Sequence, residues 1–280
     1  PTDSGEEDND TTTTDGGGDG GGGDEIDYSI CENCVWLQDD CNGDWFIGYN
    51  TDNEIAGFQF TIDGLDIIIN NASEGDSEDA GFSISSSNDM LIGFSPGGNS
   101  IPAGSGQLLT LELNGVPSAL SNMVFSDSNA ETLNISYYGV INCYNTTLNS
   151  TGKTQLTILK NSITNLDVGD EIGIFDLNAI TNYNDCSNQI DELLVGSGIW
   201  DGDQLEIVST GSVDFCLLDG IQLAGYVVGN SLIIKIYKPT NGLEYLTNIS
   251  WEEGSGEFGE IIQLIDNITL INPPLSKKLF

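Results

Sequence analysis

From Glu25 onward the chain consists of short runs in which apolar side chains alternate with polar ones or follow one another over strand length. EIDYSI (25–30) sets the pattern: Ile26, Tyr28 and Ile30 fall on one side of an extended backbone, which is the period of a half-buried strand. Similar runs follow at WFIGY (45–49), IAGFQFTI (55–62), LDIII (65–69), GFSIS (81–85), MLIGF (90–94), LLTLEL (108–113) and TLNISYYGV (132–140). Clusters of Gly, Asn, Asp, Ser and Pro, such as SPGGNSIPAGSG (95–106), separate them. This rhythm predicts antiparallel hairpins rather than strand–helix–strand units. Only PSALSNM (117–123) reads as a helical turn.

A polar strip, NCYNTTLNSTG (142–152), ends this series and a second one begins. Its runs are KTQLTIL (153–159), DEIGIFD (170–176), ELLVGSGIW (192–200), QLEIVS (204–209), SLIIKIY (231–237), LTNISW (246–251) and EIIQLI (260–265). The expected fold is all-β, with two tandem antiparallel β-sandwich domains over 25–142 and 143–272. The proline pair in LINPPLSKKLF breaks the pattern and leaves 273–280 as a C-terminal extension. Residues 1–24 are Asp, Glu, Thr and Gly with no apolar period, a flexible tail by composition.

Charge changes the picture most. The chain carries 44 acidic residues against 6 basic ones, all lysine, and no histidine, for a formal charge of −38. Such a surface repels nucleic acid and anionic lipid, which need Lys or Arg to neutralise phosphate. It favours divalent cations and salty or mineral-rich surroundings. No apolar run approaches the roughly 20 residues of a membrane span, so no direct membrane insertion is expected. The chain starts at Pro1 without a methionine or signal peptide, which reads as a mature or trimmed product.

Six cysteines, Cys31, Cys34, Cys41, Cys143, Cys186 and Cys216, make an even number with no histidine to complete a zinc site. Disulfides in an oxidising, extracellular setting are the expectation, with Cys186 and Cys216 paired and the other four undecided. The missing histidine removes Ser-His-Asp and Cys-His catalysis, and the missing arginine removes the usual anion clamp. A carboxylate pair remains, but among so many acids such pairs arise by chance. The chain is therefore expected not to be an enzyme.

QDDCNGDW (38–45) sets Asp40, Asn42 and Asp44 at the spacing of a calcium loop, with Gly43 permitting a tight turn. An Asx-rich turn beside a disulfide gives the same spacing without metal. Asp176, Asn178 and Asp185 form a second acidic group of the same kind. Calcium is thus the one cofactor expected, and none is required. Trp36, Trp45, Trp200 and Trp251 all lie in or beside apolar runs, which places them in the core rather than on a sugar-binding platform. Asn9, Asn71, Asn134, Asn145, Asn149, Asn248 and Asn267 stand in glycosylation sequons.

The first block carries IAGFQFTIDG (55–64) and GFSISSSNDMLIGFSPGGNSIPAGSGQLLTLEL (81–113), and resembles the cohesin-like and carbohydrate-binding-like β-sandwich modules of bacterial surface proteins. The second carries DVGDEIGIFD (167–176), LLVGSGIWDGDQLEI (193–207), GYVVGNSLIIKIYKPTNGLEY (225–245) and GSGEFG (254–259). It resembles a β-sandwich module recurrent in secreted proteins of the Bacteroidota that are sorted by the type IX system. The resemblance implies export, surface attachment or release, and no catalytic residues. It also implies O-glycosylation at Thr11 in the DTT motif, with Thr12, Thr13 and Thr14 as further hydroxyls.

Two functions fit these features. One is a structural subunit of an extracellular filament or surface assembly, self-associating head to tail. The other is an extracellular module binding carbohydrate or a surface partner. A tail of about 24 residues reaches on the order of 80 Å when extended, far enough to lie across a neighbouring subunit. Strand donation to a neighbour would use Ile26, Tyr28 and Ile30, or Ile268 and Leu270 near the other end.

Overall fold

The computed structural model describes residues 30–183 and 185–272. The tail, Thr11 to Thr14, Asn9, Ile26, Tyr28 and the extension 273–280 lie outside the described residues. What it describes is all-β: two tandem sandwiches, each built on a seven-stranded sheet.

The first sheet contains β1 (Cys34–Asp39), β2 (Trp45–Thr51), β3 (Gly57–Ser73), β4 (Ser83–Ser87), β5 (Met90–Phe94), β6 (Gly104–Ser126) and β7 (Ser136–Ile141), with a five-residue helix α1 (Gly75–Asp79) after β3. Its strand order is β4-β5-β3-β6-β2-β1-β7. β3 and β6 pair along most of their lengths, with register slips at Asp63/Gly64 and Leu65/Ile68. Two glycines make this turn of direction feasible. A Cβ on Gly64 would lie 2.4 Å from Val116 O, and one on Gly115 would lie 2.2 Å from Leu65 O. A single hydrogen-bonded sheet thereby folds over on itself. Val35, Leu37, Phe58, Phe60, Leu91 and Phe125 fill the space inside.

The second sheet contains β8 (Thr154–Leu159), β9 (Glu171–Ile180), β10 (Ile190–Ile199) and β11 (Leu205–Thr210), followed by a small ribbon of β12 (Val213–Asp214) and β13 (Gln222–Leu223). It is completed by β14 (Ile233–Lys238), β15 (Leu243–Glu253) and β16 (Ile262–Leu270), in the order β10-β9-β14-β15-β16-β8-β11. β15 serves both halves: Leu243–Leu246 pair with β14, and Thr247 to Glu253 pair with β16. Ile172, Ile174, Trp200, Tyr226, Ile234 and Phe258 form its core. Both sandwiches close the same way, with the last strand parallel to the first: β7 beside β1, and β16 beside β8.

Two expectations need correcting, and one strand has no counterpart among the predicted runs. PSALSNM is not helical but part of β6, where Leu120 pairs opposite Ile62 and is buried. Pairing to β3 outweighs the local propensity. IAGFQFTI and LDIII are not separate strands, since both runs fall largely within β3. CVWLQD, which has no alternation to announce it, is β1, and is buried along nearly its whole length between β2 and β7.

The sandwiches meet at a defined junction. The β1–β2 loop and the β14–β15 turn touch backbone to backbone: a Cβ on Gly242 would lie 2.1 Å from Asn42 O. The Cys41–Cys143 disulfide ties the same β1–β2 loop to the connecting strip. Tyr144, Phe175 and Tyr237 pack as a small aromatic cluster beneath it.

Candidate assembly surface

The first sandwich has a broad outer face on β4, β5, β3 and the C-terminal half of β6. Strand pairing fixes which residues share it. Phe94, Ile92 and Met90 lie opposite Ser83, Ser85 and Ser87 on one side, and opposite Gly57, Gln59 and Thr61 on the other. Gln59 in turn faces Val124, and Gly57 faces Ser126. Leu91, Phe58, Phe60 and Phe125 point the opposite way and are buried. Gly93 is part of this arrangement, because a Cβ there would lie 2.3 Å from the Phe58 ring.

Met90, Ile92, Phe94 and Val124 are exposed, Phe94 by 51%. Burying a side chain of this kind is worth about 1.5–3 kcal/mol, so these residues leave a favourable contact unmade. No Asp, Glu or Lys stands among the face's positions 57, 59, 61, 83, 85, 87, 90, 92, 94, 124 and 126. Four strands about 4.8 Å apart, each five residues long at about 3.3 Å per residue, span roughly 300 Å2. Four of its eleven positions are apolar side chains, and a face of this size is comparable to the largest patch on an ordinary monomer, which is often functional. The rest of this sandwich is acidic without compensation, since the first lysine in the chain is Lys153. The sequence signal was the run MLIGF itself, whose apolar residues occupy both faces where half of them have no core to enter.

The residues of the calcium expectation fall in separate places. Asp40 Oδ1 accepts the backbone N–H groups of Asn42 and Asp44 at 2.8 and 2.9 Å, an Asx turn closing the β1–β2 loop. Asp176 is fully buried and accepts from Asn178 N–H, Val227 N–H and the Asn230 amide at 2.8–3.0 Å. Asp185 accepts from Asn182 and Ser187 instead. Asp176 and Asp185 therefore lie in different hydrogen-bond networks. Among the described residues no group of three or more Asp, Glu, Cys and His side chains converges as a metal site.

Cys186 and Cys216 form a disulfide, and the remaining cysteines pair as Cys31–Cys34 and Cys41–Cys143. Trp36, Trp45 and Trp200 are buried, and Trp251 is half-buried against Gly256. Asn71, Asn134, Asn145, Asn149, Asn248 and Asn267 are all exposed. Ile30 precedes β1 outside any strand. Ile268 and Leu270 lie in β16, opposite Ile249 and Thr247, with Ile268 fully buried. Donating that segment would require removing a core strand from its own domain.

At the junction two carboxyls are buried together. Asp39 at the end of β1 is 3% exposed, and Glu171 at the start of β9 is 1% exposed. Burial pushes Asp39 up to about 8, and the charge of Glu171 adds to this, while the Tyr237 and Cys41 hydrogen bonds oppose it. Burial also pushes Glu171 up to about 7, against the N–H donors of Tyr144 and Cys143 at 2.6 and 3.2 Å. Asp39 Oδ2 has no hydrogen-bond partner.

A polar cleft of about 730 Å3 opens between α1 and the β5–β6 loop, lined by Tyr49, Asp76, Asp79, Asn99 and Ser100 among others. Tyr49 donates to Asp76 Oδ2 at 2.7 Å in its wall.

No protein family and no curated protein matches the chain by sequence. Among solved structures, a non-cellulosomal cohesin from Archaeoglobus fulgidus is similar at a TM-score of 0.32 and 8% identity, over 40% of this chain and 90% of that one. The major pilin subunit BcpA of Bacillus cereus is similar at 0.18 and 11% identity, over 83% of this chain and 59% of that one. The major pilin T-13 of Streptococcus pyogenes gives 0.18 and 11%, over 85% and 96%. The fold stated above rests on the strand topology, independently of these likenesses.

Proposed function

We propose that the protein is a secreted, non-catalytic structural subunit, and that its copies associate into an extracellular assembly through the outer face of β4, β5, β3 and β6. The observation that carries this reading is the uncharged apolar face on a chain of formal charge −38. Copies this acidic repel one another, so a contact between them forms where carboxylates are absent. The disulfides fit an oxidising extracellular setting. No helix among the described residues is long and apolar enough to cross a membrane.

The test is sedimentation velocity and negative-stain microscopy of the purified protein and of an Ile92→Asp variant across salt concentrations. The wild type should associate, more strongly as salt screens its charge, and the variant should sediment as a monomer. A wild type that stays monomeric up to high concentration and salt would sink the reading.

The cleft beside α1 favours a second reading, a carbohydrate-binding module. Tyr49, Asp76, Asp79 and Asn99 supply the hydroxyl, carboxylate and amide groups that recognise sugar hydroxyls. A glycan array in which binding is abolished by Asp79→Ala would establish it.

A further inference from the structure

The second sandwich carries an apolar projection of a different shape. β12 and β13 form a two-stranded ribbon through the pairs Val213–Leu223 and Asp214–Gln222, and the chain between them makes a tight knob over Phe215–Ile221. The knob is rigidly built for its size. Cys216 is bridged to Cys186 at its base, and Phe215 N–H donates to Ile221 O at 3.1 Å across its neck. Leu218 N–H and Gly220 N–H both donate to Phe215 O, at 2.9 and 3.0 Å. Asp219 takes the left-handed conformation at φ 57°, and Gly220 leaves no room for a side chain, since a Cβ there would lie 2.6 Å from Phe215 Cβ.

At its tip Leu217 is 99% exposed and Leu218 79%, with Phe215 and Ile221 partly exposed below them. Two adjacent leucines held in water on a stapled turn contribute nothing to the core of their own domain. A loop serving only to connect β12 to β13 has no need of them, because turn positions are ordinarily polar.

We propose that this knob is the partner of the uncharged face, with Leu217 and Leu218 of one copy seated on Met90, Ile92, Phe94 and Val124 of the next. The inference rests on the assembly reading above and names the surface that meets that face. Three features carry it. The two apolar patches lie on different sandwiches, and within one chain both remain exposed and free to meet a second molecule. The knob's own carboxylates, Asp214 and Asp219, exclude a like-charged receptor, and the face presents Ser83, Ser85, Gln59 and Thr61 as hydroxyl and amide donors with no carboxylate among them. A convex tip on a flat sheet is a heterologous contact. Each copy then offers one knob and one face, and the contact propagates head to tail wherever its rotation does not close the copies into a ring. The same carboxylates, one at the knob's base and one beside its tip, oppose insertion into an anionic membrane.

The experiment uses the full-length protein, a face variant (Ile92→Asp) and a knob variant (Leu217→Asp with Leu218→Asp). Unchanged circular dichroism melts verify folding, and Leu217→Ser serves as a milder knob variant. Each disrupted patch should weaken self-association at least ~30-fold by sedimentation, as expected for central contact residues. An equimolar mixture of the two variants should stop at a heterodimer, because one intact knob meets one intact face and neither product can grow. If the face variant is monomeric while the knob variant assembles like wild type, the knob assignment falls and the assembly reading stands. If the face variant assembles like wild type, the assembly reading falls as well. A mixture that gives no heterodimer overturns the knob-to-face pairing. Flotation of the wild type with phosphatidylcholine vesicles that depends on Leu217 and Leu218 would also overturn it, in favour of a lipid surface.

Discussion

The hydroxyl of Tyr237, on β14 of the second sandwich, donates to Oδ1 of Asp39, at the end of β1 in the first, at 2.8 Å. Glu171 is the register partner of Tyr237 on the neighbouring strand β9. The junction thus places two buried carboxyls around one tyrosine, and Tyr237's own ionisation is pushed upward by burial and by Asp39. A proton held on this pair removes a repulsion that water cannot screen.

Stability should therefore fall as pH rises. Both groups have folded-state values above the ordinary carboxylate range, near 8 for Asp39 and 7 for Glu171. The folded state consequently binds more protons than the unfolded one, and the contribution is complete below about pH 4. It is lost progressively as pH rises through about 7 to 8, and amounts to several kcal/mol at order of magnitude. Repulsion across the whole acidic surface acts in the same direction, so the wild type alone does not isolate the pair. Urea denaturation of wild type and Asp39→Asn at a series of pH values does so. The variant should show a shallower slope between pH 4 and 8, and parallel slopes would remove the pair from the account.

The contact of Gly242 with Asn42 predicts what happens when the two sandwiches are pried apart. Gly242 sits at φ 63°, and a methyl group there would collide with the Asn42 carbonyl. Gly242→Ala should therefore open the junction without touching either core. Calorimetry should then resolve two unfolding transitions lying further apart than in the wild type. The Cys41–Cys143 bridge, spanning 102 residues, limits the separation and is worth about 4–5 kcal/mol in the chain-entropy account. Under reducing conditions the splitting should widen.

The junction shows where the sequence could be read and where it could not. Alternation and turn residues announced most of the strands, because each owes its pattern to one face buried against a partner sheet. β1 escaped because nearly all of CVWLQD is buried, which erases the alternation. Nothing in QDDCNGDW sets Asp39 apart from its acidic neighbours, and only the approach of β14 from about 200 residues away makes it a buried group. Most pairing choices among the cysteines were likewise undetermined by spacing, since Cys41 and Cys143 meet only when β7 lies beside β1. The apolar face was present in MLIGF, but the pattern does not say which of its two sides has a core to enter.

Lys238 offers a sharper energetic test, because its ammonium lies 2.7 Å from both Asp167 Oδ2 and Asp170 Oδ2. Asp170 is almost wholly buried, and burial drives its carboxyl upward against the pull of Lys238. Lys238→Met removes the one cation paired with it among the described residues and strands that carboxyl in the interior. The expected cost is about 3–5 kcal/mol, the range found when one partner of a buried pair is deleted. Asp170→Asn in the same background should recover much of it. If Lys238→Met unfolds at the same denaturant midpoint as wild type, Asp170 is reached by water and the pair is a surface contact.

Neighbouring residues on β5 separate the assembly face from the core beneath it. Leu91 is fully buried among Phe58, Phe60 and Phe125, whereas Ile92, one residue on, stands outside with Gln59 and Ser85. Leu91→Ala should cost about 2–5 kcal/mol of folding free energy, through lost contacts and the cavity left behind. Ile92→Ala should change stability by less than about 0.5 kcal/mol, as surface substitutions do. Self-association should respond in the reverse order, falling with Ile92→Ala and persisting in whatever Leu91→Ala protein remains folded. Denaturation midpoints and sedimentation on the same two proteins give both readings. Equal stability losses would mean that Ile92 is covered by the protein's own chain, and the face would then be part of the fold instead of a surface offered to another molecule.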